Sequence, residues 1–203
     1  MRRYSSAVPI RLSQDADADA LLDRDPFALL VGMLLDQQFP MERAFAGPAL
    51  LAQRLGRTEL DPRELAAYDP AALVEIFRGP PAVHRYPGSM AGRVQALAAS
   101  VVEQYDGDVT LLWRDVQDGH ELFGRIAALP GFGKQKAQIF TALLGKQRGV
   151  TPPGWREAAG SYGDDGSYRS VADVVDPASL VRVREFKQAA KAAAKSGVAP
   201  AKG

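Results

Sequence analysis

Leu129-Pro130-Gly131-Phe132-Gly133-Lys134-Gln135-Lys136-Ala137 is the stretch on which the fold turns. Amphipathic runs flank it. Upstream, Leu122, Phe123, Ile126, Ala127 and Leu129 recur at helical spacing over residues 121 to 129. Downstream, Ala137, Ile139, Phe140, Leu143 and Leu144 do so over residues 136 to 144. Pro130 disfavours the helical conformation at Leu129, so the first helix is expected to end there. Gly131 and Gly133 permit a tight turn with bare amides. The second helix then opens with N–H groups that have no partner within it. They lie at the positive end of its dipole, where a phosphate fits. Lys134 and Lys136 add positive charge there. A helical corner whose glycines serve packing alone is the plainer alternative.

Outward from this hairpin, composition sets bounds. A chain of 203 residues holds one domain of ordinary size, or two small lobes sharing a core. Its 46% hydrophobic and 24% charged residues are those of a globular chain in water. No apolar run is long enough to span a bilayer, so no membrane partner is expected. Arg2-Arg3 leads into Arg11, Asp15, Asp17 and Asp19 rather than an apolar stretch. No secretory signal is expected there, and the expected location is cytoplasmic. With no cysteine there is no disulfide and no thiolate-ligated zinc or iron–sulfur cluster, and no cofactor is expected from the side chains. A net charge of +1 means that any basic footprint must be local.

Helix signals fill the rest of the chain. Ser13-Gln14-Asp15 is placed to cap a short helix ending near Leu22. Asp25-Pro26 starts a helix expected over residues 26 to 38, apolar almost all round and therefore central. Its end, Asp36-Gln37-Gln38, turns abruptly polar. A helix follows over residues 41 to 55, and Asp61-Pro62 and Asp69-Pro70 start two more. Residues 84 to 89 read as a loop, 90 to 103 as a helix, and 109 to 116 as a short helix. Residues 146 to 170 are loop-like, Asp176-Pro177 starts a last helix to about Lys195, and the chain is expected to fray from residue 196. No strand and no repeat is apparent.

Leu129-Pro130-Gly131-x-Gly133, with Ala137 four positions on, resembles the helix-hairpin-helix of the HhH-GPD superfamily of base-excision DNA glycosylases. The ending Leu34-Leu35-Asp36-Gln37-Gln38 is similar to that superfamily as well, in which a corresponding helix ends in one or two glutamines near the DNA. The resemblance covers roughly residues 25 to 145. It implies an all-α, two-lobed HhH-GPD fold with a cleft between the lobes. Residues 1–40 would contribute helices to the terminal lobe, 41–145 the lobe with the hairpin, and 146–203 a segment packing on the terminal lobe. It implies double-stranded DNA as partner, a monomer, and a hairpin able to hold a monovalent cation through its carbonyls. Gly131, Gly133, Lys134 and Lys136 would grip the DNA backbone. Gln37 or Gln38 would fill the gap left by an everted base, since an amide both donates and accepts. From the residues themselves, Arg85 and Arg93 suit phosphate contacts and Tyr86 suits stacking, although a plain surface loop explains them equally. His84 and His120 lack ligand spacing and read as solvated or capping. Lys187, Lys191 and Lys195 form a basic stripe that reads first as a solvated face.

The departures from the family matter as much. Bifunctional members carry a nucleophilic lysine two positions after the second hairpin glycine, and here that position is Gln135. Lys134 and Lys136 lie about 100° to either side of it on a helix. The superfamily's aspartate would fall near residues 151 to 154, Thr-Pro-Pro-Gly, where there is no acid. Glu157, Asp164 and Asp165 lie downstream, and Asp36 stands beside the glutamines as the candidate catalytic carboxylate. The expected function is therefore a DNA-binding base-excision repair protein, a monofunctional glycosylase without lyase activity. The same fold without catalysis, binding DNA or recognising a lesion, is the alternative. A helical interaction module is the more distant one.

Overall fold

The computed structural model describes residues 8–196. Among them are ten α-helices, three short 3-10 turns and no strand. The expected fraying from residue 196 onward lies almost wholly outside the described residues.

Local signals account for most helix starts. In α1 (Ala16–Arg24) the Asp15 carboxylate accepts from the Ala18 amide, and in α2 (Pro26–Leu35) Asp25 accepts from Phe27 and Ala28. Asp61 and Asp69 do the same for α4 (Pro62–Ala67) and α5 (Pro70–Arg78), each with proline next. These are the Asp-Pro starts of the sequence, stabilised by about 1 kcal/mol per cap. Between them α3 (Met41–Leu55) ends on Gly56, whose φ of 68° suits a residue without a side chain. Then come α6 (Pro87–Tyr105), α7 (Gly119–Ala127), α8 (Lys134–Gln147), α9 (Trp155–Ala159) and α10 (Pro177–Ser196).

Four expectations change. The buried helix stops at Leu35, so Asp36 caps it and Gln37-Gln38 lies beyond it. Helix α6 opens at Pro87, inside the stretch read as a loop. Only Val109–Leu112 is helical, as a 3-10 turn, where a longer helix was expected. The segment read as loop-like contains α9, which rests on tertiary contact. The Trp155 ring packs so closely on Gly145 that a Cβ there would fall 2.4 Å from it, and Gly119 abuts the Trp155 backbone as tightly.

Helix α2 is the hub. Phe27 through Leu35 are all buried, and α2 packs on α1, α3, α6 and the 3-10 turn. Helices α4 and α5 lie on α6, while α7, α8 and α9 pack together. One apolar cluster runs through all of them, from Ile10 to Val183. Because α2 is enclosed along its length, its C-terminal end is where chain from distant parts of the sequence converges.

Candidate nucleic-acid interface

The hairpin is seated on that end. Gly131 has φ of 84°, and a Cβ on it would lie 2.5 Å from Leu34 Cδ1. A side chain is excluded there both by conformation and by α2 itself. Gly133 differs. Its φ is −72°, it is exposed, and nothing lies within 4 Å of where its Cβ would be. It is the N-cap of α8 and supplies no side-chain cap, so the amides of that first turn face outward without a side-chain partner.

The two flanking lysines part company. Lys134 is exposed and makes neither a hydrogen bond nor an ion pair among the described residues. Lys136, expected beside a phosphate, instead sends its ammonium across to α2. Its Nζ donates to the carbonyls of Met33 at 2.7 Å and Leu34 at 3.0 Å, and lies 3.4 Å from that of Asp36. These are carbonyls that a helix leaves open at its C-terminus, the end of the dipole that favours a cation. Burial pulls the Lys136 ammonium down to about 8, with Arg93 helping and Asp36 opposing. Gln135 donates to the Tyr162 hydroxyl at 2.8 Å.

Beyond α2 the chain turns sharply. Gln37 N–H donates to Leu35 O at 2.7 Å, and Gln38 takes a left-handed φ of 51°. The side chain of Gln37 is engaged at both ends, donating to Leu34 O at 2.9 Å and accepting from Arg93 at 2.8 Å. Gln38 is exposed, and its side chain makes no hydrogen bond among the described residues. Of the two glutamines, it is the one free to reach a ligand. Arg85 donates to the Gln38 carbonyl at 3.3 Å and lies over the Tyr86 ring, which is 46% exposed.

His84 holds this turn in place. It is 1% exposed, so it is buried rather than solvated. Its Nδ1 accepts from the Tyr86 amide, which leaves the proton on Nε2 to donate to the Gln37 carbonyl at 3.2 Å. Burial pushes its pKa below the ordinary value and keeps it neutral. Its ring packs at 4.4 Å from that of Phe39, centroid to centroid. No spacing rule marks a histidine that serves a turn so far away in sequence. The exposed His120 takes no part.

Asp36 is the unusual group. Its carboxylate accepts no hydrogen bond among the described residues. Burial raises its pKa, against the pull of Lys187 first and Lys136 second. A desolvated carboxylate with two ammonium groups acting on it and no hydrogen bond among the described residues is a candidate functional group. Of the other sequence candidates, only Asp165 has its carboxylate in an ion pair among the described residues. Asp165 pairs with Arg156 at 2.8 Å, Asp164 gives its carbonyl to Lys146, and Glu157 stands exposed on α9.

Charge is distributed unevenly. Several arginines are matched to acids, as in Arg57–Glu64, Arg125–Glu121 and Arg148–Asp23, whereas Arg54 bonds carbonyls and Arg182 a hydroxyl. Around the end of α2, Arg85, Arg93, Lys134 and Lys136 have no ion pair among the described residues. A nearly neutral protein thus gathers three exposed cations without ion pairs among the described residues, Arg85, Arg93 and Lys134, around the end of α2. No group of metal-ligating side chains occurs among the described residues, nor does a helix long and apolar enough to cross a membrane. No family model, curated protein or solved structure matches the chain.

Proposed function

We propose that this face binds double-stranded DNA, and that the chain is a base-excision repair protein of HhH-GPD type. Its two lobes would meet at the end of α2, and it would act as a monofunctional glycosylase. The observation that carries the reading is the convergence of three exposed cations without ion-pair partners among the described residues, Arg85, Arg93 and Lys134, about an uncapped helix N-terminus, beside a free glutamine. Phosphates suit the amides of α8 and Lys134, with Arg85 and Arg93 along the same face. Gln38 then enters the space of an everted base, and the Asp36 carboxylate supports positive charge on the sugar as the glycosidic bond breaks.

The test is affinity for a duplex containing a stable abasic analogue, measured across salt concentrations. A steep decline is expected, because neutralised phosphates release counterions. Removing Arg85, Arg93 and Lys134 singly should reduce the salt slope by about one each. A slope unchanged in all three variants contradicts the interface. One observation favours a second reading, recognition of a lesion without base removal: residues 151–154 carry no acid. Release of free base from lesion duplexes separates the two.

A further inference from the structure

Between the end of α2, the start of α3 and α10 lies a groove of about 280 Å³. That is just below the roughly 300–1,000 Å³ typical of small-molecule sites, with room for a heterocyclic base. Phe39, Met41 and Val183 supply apolar wall, and Asp36 and Lys187 supply opposite charges. The other acid in the groove, Glu42, is paired with Arg184. Lys187 is exposed and makes no hydrogen bond among the described residues, yet it is the strongest charge acting on Asp36. The other ammonium acting on Asp36, Lys136, is occupied by the carbonyls of α2.

The groove thus holds one acidic and one basic group, neither in a hydrogen bond or ion pair among the described residues, and breaking a glycosidic bond creates one charge of each sign. Positive charge develops on the sugar, and the departing base takes the bonding electron pair. We propose that Lys187 donates to a ring carbonyl of the departing base, so that the site acts on neutral, carbonyl-bearing bases, deaminated or oxidised, rather than on cationic alkylated ones. This rests on the glycosylase reading above. In the step, the C1′–N bond breaks and its electron pair moves onto the base, with charge on the carbonyl oxygen held by the Lys187 ammonium. A water forms the new C1′–O bond. Its proton passes by way of Asp36 to the base, so the net change is addition of one water across the bond. An alkylated base that starts cationic leaves neutral. It gives Lys187 no developing charge to stabilise, and the ammonium repels it on entry. Interactions that strengthen only as charge develops are those that raise the rate.

The experiment measures base release from duplexes containing uracil, hypoxanthine or 7-methylguanine, by the wild-type protein and by Lys187→Met and Lys187→Arg. Binding of the wild-type protein to the abasic-analogue duplex is followed in parallel. Release of uracil or hypoxanthine but not of 7-methylguanine is expected. Lys187→Met should cut that release by about 10²–10³, the usual loss for one donor to a developing oxyanion. Lys187→Arg, which keeps charge and donors, should recover part of it. Equal release of 7-methylguanine overturns the inference, as does wild-type release by Lys187→Met. Tight abasic binding with no release of any base also overturns it, but leaves the DNA interface standing. Absent abasic binding removes the DNA reading itself.

Discussion

Gly133 holds an ordinary φ of −72° with open space around it, whereas Gly131 is left-handed and pressed against Leu34. Their substitutions should therefore behave differently. Aspartate fits at Gly133 and is among the best N-caps, worth a few tenths of a kcal/mol over glycine. Gly133→Asp should thus be slightly more stable than wild type in denaturant unfolding while binding DNA less well. A repulsion of about 1.4 kcal/mol already means a tenfold loss, and a loss of that order is expected by fluorescence anisotropy. Unchanged affinity in the folded variant speaks against phosphate at the hairpin. Asp36 gives a pH dependence. Its folded pKa is raised above 3.8 by burial. The cost of the ionised form is then absent below the unfolded value and fully present above the folded one. Asp36→Asn should be more stable than wild type at neutral pH, with the gain vanishing as pH falls through the raised pKa towards 3.8. A variant less stable at neutral pH would show the carboxylate to be a structural anchor. The residue types at the site were readable in the sequence, but their division of labour was not. Gln37 and Gln38 are neighbours of one kind, and only the turn at φ of 51° shows that the first is consumed by Arg93 and Leu34.

Helix α2 and the hairpin work as a pair. The sequence marks the start of α2 by Asp25-Pro26, a local signal, but marks its end poorly. The end is made by groups from elsewhere: Lys136 from α8, and His84 from the segment before α6. Helical periodicity places Lys136 on a face of α8 but does not reveal that its amine crosses to a helix some hundred residues earlier, and the missed α9 likewise depends on Trp155 meeting Gly145. The cap bears on chemistry. An attacking amine must be unprotonated and free, and Lys136 is held by carbonyls, while Gln135 has no amine and bonds Tyr162. Borohydride reduction with abasic-site DNA should therefore yield no covalent adduct. An adduct mapping to Lys134 or Lys136 would show that the cap opens and that the protein cleaves strands. At the turn beyond α2, Gln38→Ala should weaken binding to an abasic duplex more than to an intact one, because its contact exists only where a base has left the stack. Equal losses on both would make Gln38 a plain surface contact.

Across the whole molecule, the all-helical class followed from amphipathic spacing and the repeated Asp-Pro starts, features written locally in the chain. The location of the proposed interface needed three dimensions. Arg85, Arg93, Lys134, Lys136 and Gln38 lie on three separate segments, and a net charge of +1 hides them. What unites them is that α2 is buried to its last residue and that side chains from α8 and from the start of α6 both reach its exit. The central claim is that this exit is where DNA sits. Amide hydrogen exchange of the chain, with and without an abasic-analogue duplex, tests it most directly. Protection on adding DNA is expected at residues 131–136, 36–39 and 84–93, and not on the far side around α4 and α5. Protection centred on α4 and α5, or none at the hairpin under saturating DNA, would contradict the account.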